Sequence, residues 1–187
     1  KKQSAEIVNG AGGRYVEAAV MAPIGPKRIA TPMLLGGPHA EAFLPLGKEA
    51  GFAGMSFFSA DYGKASAAKM CRSVMVKGIE ALLTESLISA RHYGVEETVL
   101  ASLSDLFPVG DWPKLARYMI SRALEHGTRR AEEMREVAQT VADAGLTPLL
   151  SSATAERQDW AASRKKALEA ETLADLLDRL LAMRNDP

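Results

Sequence analysis

The sequence predicts an α+β protein that is mainly α-helical and has two parts. Short β-type runs separated by glycine and proline occupy the first third of the chain, and the strand signals stop after Gly63. From there onward, apolar residues recur at helical spacing. We therefore predict a small α/β part over 1–62 and an all-α part over 63–187, which begins with a long connecting helix.

The composition is that of an ordinary globular protein. The 187 residues include 23 Lys and Arg and 23 Asp and Glu, and 47% are hydrophobic. This charge balance gives no electrostatic footprint for nucleic acid, and no apolar run is long enough to span a bilayer. Cys71 is the single cysteine, so a reducing cytoplasm fits best, and no Cys/His cluster has metal-ligand spacing. We expect no metal, no nucleic acid and no membrane partner.

The first part contains three candidate strands, Arg14–Met21, Thr31–Gly37 and Gly54–Ser59. The opening stretch KKQSAEIVNGAGG is typical of the end of a helix that runs into a glycine stop. Between the second and third strands, AEAFLPLGKEAG predicts a short helix that ends at Gly51. Because strand–helix–strand order is the pattern of a parallel crossover, at least part of the sheet is predicted to be parallel.

The second part opens with a predicted helix from Ala65 to about Tyr93. Further helices are predicted over Glu96–Leu106, from the Asp111 cap to Gly127, from the Thr128 cap to Gly145, over Pro148–Ala162 and over Lys166–Met183. The last one carries a stripe of leucines, at Leu173, Leu176, Leu177, Leu180 and Leu181. Such a stripe fits packing within its own chain, and it also fits a contact with a partner helix.

Three motifs resemble those of the β-hydroxyacid dehydrogenases and occur in that family's order. RYVEAAVMAP resembles the family's strand-and-turn motif, TPMLLGGPHAEAF resembles its next strand and helix, and GKASAAKMCRS resembles its lysine motif. The helical stretches ISRALEHGTRRAEEM and ERQDW are similar to the 6-phosphogluconate dehydrogenase-like branch that has a C-terminal helical domain of unknown function.

The resemblance implies a partial Rossmann-type segment, a connecting helix and an all-α 6-phosphogluconate dehydrogenase-like C-terminal domain. It also implies an NAD(P)-dependent oxidoreductase that acts on a hydroxy acid or a related small substrate by hydride transfer. The family's acid/base lysine corresponds to Lys69, whose alternative is a surface lysine near a helix start. No G-x-G-x-x-G follows a strand, so we expect the NAD or NADP motif upstream of Lys1 and expect this C-terminal part alone to be inactive.

Two predicted substrate-binding residues, Met21 and Ala22, stand in the turn after the first strand. In the family, the backbone N–H groups of this turn commonly receive a substrate carboxylate. Here the third position of the turn is Pro23, which has no N–H to donate. We therefore expect the substrate to be anchored differently.

Four more substrate-binding residues are predicted from the lysine motif and the helical part. Arg72 and Ser73 stand where the family has asparagines; Arg72 fits a carboxylate or phosphate ligand, and alternatively a salt bridge at the domain junction. His126 and Arg130 lie where the family has a lysine and an aspartate facing the active site. Their alternative is a solvated helix face.

Two functions fit these observations. In one, the parent protein is a dehydrogenase that forms a homodimer through its helical part. In the other, the segment is a non-catalytic oligomerisation or substrate-binding module. A glycine-rich βαβ unit in frame upstream would favour the first function.

Overall fold

The computed structural model describes residues 1–108 and 110–184, apart from the side chains of Asp105 and Leu106. The chain divides into two compact units, Lys1–Arg72 (unit 1) and Ser73–Pro187 (unit 2). This division falls inside a continuous helix, whereas the sequence predicted a boundary at 62/63. The predicted fold class, α+β and mainly helical, is confirmed.

Unit 1 is built on a three-stranded sheet. Its elements are α1 (Lys2–Gly10), β1 (Glu17–Val20), α2 (Ile24–Lys27), β2 (Met33–Gly36), α3 (Ala40–Glu49), β3 (Met55–Ser59) and the first turns of α4 (Lys64–His92). Strand β1 pairs antiparallel with β2, and β2 pairs parallel with β3. The parallel crossover predicted from the order of strands and helix is therefore confirmed.

The core of unit 1 lies between the sheet and α3. Leu35, Ala40 and Met55 are buried together. A Cβ built at Gly47 would lie only 1.9 Å from the terminal methyl of Met55, so the glycine lets α3 pack closely on β3. Helix α3 ends before Gly51, whose positive φ of 94° suits glycine, as the sequence predicted.

A short helical connection between β1 and β2 was not predicted. It contains α2 and a 3₁₀ turn over Arg28–Ala30, and Arg28 has a φ of 46°. The buried Thr31 closes the connection, because its hydroxyl donates a hydrogen bond of 2.6 Å to the carbonyl of Arg28. No periodic signal marks elements this short.

Unit 2 is all-helical. It contains the rest of α4, then α5 (Glu96–Leu106), α6 (Trp112–Asp143), α7 (Leu149–Ala162), a 3₁₀ turn (Lys165–Glu169) and α8 (Leu173–Ala182). Its core includes the fully buried Leu87, Ile120 and Leu124. In the part of the chain that the structure describes, no helix is long and apolar enough to cross a membrane.

The predicted stop at Gly127 and the predicted cap at Thr128 are wrong, because α6 runs through both residues. Gly127 is buried against α7, and a Cβ built there would lie 2.5 Å from the carbonyl oxygen of Gln158. The glycine therefore allows close helix packing instead of ending a helix.

The predicted helix Lys166–Met183 is also wrong at its start. The 3₁₀ turn ends at Glu169, and α8 begins after Thr172, whose hydroxyl accepts the backbone N–H of Asp175. Three leucines of the predicted stripe, Leu176, Leu177 and Leu180, are fully buried in the core of unit 2. The stripe thus packs within its own chain.

Candidate functional site

The lysine-motif helix is anchored at its N terminus by a buried carboxylate. Glu17, at the start of β1, accepts hydrogen bonds from the backbone N–H of Gly63 at 2.6 Å and from that of Ser66 at 2.7 Å. The first N–H groups of a helix have no partner within the helix and carry a partial positive charge. A strand carboxylate therefore caps α4 from 46 residues away in sequence.

The hydrogen bonds to Glu17 control its ionisation. Burial alone would raise the pKa of the Glu17 carboxyl, but the Ser66 hydroxyl and the backbone N–H groups of Gly63 and Ser66 lower it below its ordinary value. Glu17 is therefore ionised at neutral pH and keeps its capping role. Glu17 is part of the RYVEAAVMAP motif, but its capping role was not predicted from the sequence.

The turn after β2 is filled by a tyrosine ring. Gly37 has a φ of 108°, and a Cβ built there would lie 2.1 Å from a ring carbon of Tyr62. The Tyr62 hydroxyl donates to the carbonyl of Tyr15 at 3.1 Å and accepts from the Asn9 side-chain amide at 3.2 Å. The ring is thus held in the space that Gly37 leaves open.

The β2–α3 turn is a strand–helix turn, the kind of turn at which a Rossmann-type unit binds a dinucleotide. In such a unit, glycines at the strand–helix turn let the pyrophosphate approach the backbone. Here the ring of Tyr62 occupies the space beside Gly37. The described residues of unit 1 therefore do not fit NAD or NADP at the β2–α3 turn.

An open cavity of about 1030 Å³ lies between α1 and the start of α4. Asn9, Asp61, Tyr62 and Lys64 are among its lining residues, and Lys69 is not. Lys64 forms an ion pair of 2.7 Å with Asp61. The two charges at the start of α4 thus pair with each other, and Lys69 takes no part in that ion pair.

Lys69 and Arg72 both lie on the part of α4 that belongs to unit 1. Lys69 is partly buried and Arg72 is exposed. Among the described residues of unit 1, no carboxylate forms an ion pair with either side chain. Neither side chain is therefore held by an ion pair within that unit, and their catalytic and binding roles stay predictions.

The turn after β1 contains Met21 and Ala22, which are both partly buried. The backbone N–H of Met21 donates to the carbonyl of Pro32 at 2.9 Å, which extends the β1–β2 pairing by one residue. That N–H is thus already engaged. A substrate carboxylate at this turn would need a different donor, as the proline at position 23 also indicates.

Ser73 lies in unit 2, where it is buried beside a charged pair. The Lys77 ammonium donates to the Ser73 hydroxyl at 3.1 Å and forms an ion pair of 2.7 Å with Glu133 on α6. Glu133 also pairs with Arg129. The predicted substrate-binding hydroxyl therefore has a partner within its own unit, and its role toward a substrate stays a prediction.

Arg130, predicted to bind an anion, is buried and pairs with Glu80 on α4. The side-chain amide of Gln158 also donates to Glu80, at 3.3 Å. Burial raises the pKa of the Glu80 carboxyl, and the Arg130 guanidinium opposes that rise. The anion that Arg130 binds in this structure is thus a carboxylate of its own unit.

His126 lies one turn before Arg130 on α6 and is partly buried. Burial lowers the pKa of its imidazole, and the nearby Glu125 partly offsets this effect. At neutral pH the ring is therefore mostly neutral, so it can act as a hydrogen-bond donor or acceptor more readily than as a cation.

The sequence analysis missed Lys77 and Glu80. A signal was present, because Ser73, Lys77, Glu80 and Thr84 recur at the spacing of one helix face, and all four are buried. Charged residues on the buried face of a helix need partners in the core. Residues of α6 and α7 are those partners here.

The elements and the motifs follow one another in the order that the family resemblance implies. A mixed sheet with a parallel crossover leads into a long helix that carries the lysine motif, and a helical unit follows. This is the order expected of the C-terminal part of a β-hydroxyacid dehydrogenase-like protein.

Comparison with known proteins supports this resemblance. Residues 90–161 match the family described as "Domain of unknown function (DUF1932)". Residues 90–161 thus match that helical domain, and the match supports the resemblance, which the motifs predicted, to the branch of β-hydroxyacid dehydrogenase-like proteins that carries it. No curated protein matches the chain at a significant level.

Two solved structures are similar to the chain. A conserved hypothetical protein from Sinorhizobium meliloti 1021 is 35% identical, with a TM-score of 0.78 over 96% of this chain and 62% of that one. Conserved protein MTH1747, of unknown function and described as structurally similar to 3-hydroxyacid dehydrogenases, is 30% identical, with a TM-score of 0.67 over 84% of this chain and 62% of that one. The chain thus spans less than two thirds of either relative.

Proposed function

We propose that this chain is the C-terminal part of an NAD(P)-dependent dehydrogenase that interconverts a hydroxy acid, or a related small substrate, and the corresponding carbonyl compound. The observation that carries the proposal is the similarity to MTH1747, together with three family motifs in the family's order. The lone cysteine supports a reducing cytoplasm as the compartment.

Lys69 is the acid/base in this proposal. Oxidation of a carbinol requires loss of the hydroxyl proton, and a neutral amine can accept it, as general-base catalysis requires. Lys69 is partly buried and has no ion-pair partner within unit 1, so its amine is not committed to a structural contact there.

The cofactor would supply the hydride acceptor for oxidation and the hydride donor for reduction. Tyr62 fills the one parallel strand–helix turn of the described sheet, so the proposal assigns cofactor binding to residues of the parent protein outside this chain. For the substrate we propose Arg72 as the anion anchor, because its guanidinium is exposed. Arg130 is less available, because Glu80 already binds it.

The test uses the full-length parent protein with NAD and NADP against a panel of hydroxy acids and sugar acids. Lys69→Ala should lower kcat by about 10²-fold or more, because it removes the acid/base group. Lys69→Arg keeps the charge but cannot deprotonate at neutral pH, so it should be equally impaired. The matched control is Lys64→Ala, an exposed lysine of the same helix, which should leave kcat unchanged.

Two results would contradict the proposal. Absence of turnover with every substrate and both cofactors would favour the second candidate, a non-catalytic binding module. Turnover that survives Lys69→Ala would keep the dehydrogenase and remove Lys69 from its mechanism.

A further inference from the structure

We propose that Lys77 is a positioning residue for Ser73, and that it makes the Ser73 hydroxyl a hydrogen-bond donor to the carboxylate of the substrate. This inference rests on the proposed dehydrogenase function, because it names the group of the hydroxy acid that Ser73 binds. Both residues, together with the Glu133 carboxylate that pairs with Lys77, belong to unit 2.

The contact between the two side chains fixes the direction of their hydrogen bond. The ammonium nitrogen of Lys77 lies 3.1 Å from the hydroxyl oxygen of Ser73. An ammonium group has three donors and no acceptor, so the serine oxygen must accept this bond. The proton of the Ser73 hydroxyl is therefore left for another partner.

The described part of the chain offers no acceptor for that proton. Other hydroxyls of α4 donate to the carbonyl one turn back, Thr84 to Glu80 at 2.7 Å and Ser89 to Glu85 at 2.9 Å. Ser73 makes no such bond to a described residue, although it is only 5% exposed. A buried donor without an acceptor costs free energy, and an acceptor oxygen on a ligand removes that cost.

The lysine is itself held in place by a carboxylate on another helix. Lys77 is 7% exposed, and its ammonium forms an ion pair of 2.7 Å with Glu133 on α6. Glu133 also pairs with Arg129 on its own helix. These contacts hold the ammonium against the Ser73 oxygen, so the hydroxyl keeps one orientation.

The direction of the bond selects the substrate group. Asparagine, which the resembled family has at position 73, could donate or accept through its carboxamide, whereas Ser73 beside Lys77 only donates. The ammonium also polarises the hydroxyl and makes it a stronger donor. A carboxylate only accepts, while the carbinol group of the substrate must give up its proton to Lys69. We therefore assign Ser73 to the carboxylate, as a contact additional to Arg72.

The test measures binding of malonate, a small anion that offers only acceptor oxygens, to the full-length parent protein by isothermal titration calorimetry. Ser73→Ala and Lys77→Met should each weaken binding about tenfold or more, the usual effect of losing a hydrogen bond to a charged group. Lys77→Gln keeps an N–H donor for the Ser73 oxygen and should weaken binding less than Lys77→Met does.

The double variant Ser73→Ala/Lys77→Met distinguishes positioning from direct contact. If Lys77 acts through Ser73, the double variant binds malonate no more weakly than Ser73→Ala alone. The matched control is Arg135→Met, which removes an exposed ion pair between α6 and α7 and should bind malonate like the wild type. Circular dichroism will verify that every variant folds.

Two results would overturn the inference: no malonate binding by the wild type, or a further loss of affinity in the double variant that equals the effect of Lys77→Met alone. Turnover of hydroxy acids by the same preparation is the separate measure of the proposed function. Malonate binding that depends on Ser73 and Lys77, in a protein without turnover, would support the binding assignment while the dehydrogenase proposal fails.

Discussion

The Glu17 carboxylate and the backbone N–H of Gly63 form a hydrogen bond of 2.6 Å that joins the start of β1 to the start of α4. A second bond, from Ser66 to the other carboxylate oxygen, makes this a two-point anchor. The helix that carries Lys69 is thereby fixed to the sheet by a side chain on a strand.

Replacing Glu17 should destabilise the fold in graded steps. Glu17→Ala leaves two partly buried N–H groups without their acceptor, and a fully buried group of this kind costs about 1–3 kcal/mol, which is the upper bound for each. Glu17→Gln keeps one acceptor oxygen and should cost less. Urea unfolding measures both variants, with the exposed Glu49→Ala as the control. Equal stability of Glu17→Ala and the wild type would contradict the anchor.

The same carboxylate should make stability depend on pH on the acidic side. Hydrogen bonds lower the pKa of Glu17 in the folded chain, so its contribution is present above the ordinary value of 4.5 and is lost as pH falls through the lower folded pKa. The wild type should therefore lose more stability on acidification than Glu17→Gln, which has no charge to titrate there. Thermal unfolding from pH 7 to pH 3 measures this difference, and parallel curves would argue against it.

Gly127→Ala should destabilise unit 2. The added methyl would lie 2.5 Å from the carbonyl oxygen of Gln158 and 2.9 Å from the backbone nitrogen of Ala162, so α6 and α7 must separate. Overpacking of this kind costs about 1–3 kcal/mol. Gly10→Ala, at another helical glycine but in open space, is the control and should be neutral or slightly stabilising. Similar changes in unfolding free energy for the two variants would refute the packing role.

Replacing Arg130 alone should lower the free energy of unfolding more than replacing Glu80 and Arg130 together. Arg130→Met leaves a buried carboxylate uncompensated, at a cost of about 3–5 kcal/mol. The double variant Glu80→Leu/Arg130→Met removes both charges and should recover most of that loss. In Arg130→Met alone, stability should rise again at acidic pH, because protonation of Glu80, whose pKa burial raises, removes the uncompensated charge. Chemical denaturation at pH 4.5 and pH 7.5 distinguishes these outcomes.

Local sequence signals predicted the elements that have strong periodicity or clear stops. All three strands were located, and Glu96–Leu106 agrees with α5 at both ends. Gly51 ends its helix with a positive φ, as predicted. These features depend on backbone preferences of a few neighbouring residues, which a single sequence displays directly.

The errors arose where a residue serves a distant contact. Gly127 looks like a helix stop in sequence, but its function is to admit α7, which lies about thirty residues further along the chain. Likewise, nothing near Glu17 in sequence shows that its partners are Gly63 and Ser66. The candidate site was predicted from motif resemblance. The helical spacing places Lys77 and Glu80 on the face of Ser73, but the pairing of Glu80 with Arg130 on α6 is visible only in the tertiary structure.

The Tyr62 ring beside Gly37 has a consequence for how this protein can change over evolutionary time. The two positions are distant in sequence, but a side chain at position 37 and an aromatic ring at position 62 would occupy the same space. A homologue with any side chain at position 37 must therefore have a smaller residue at position 62. In a collection of orthologous sequences, these two columns should therefore covary.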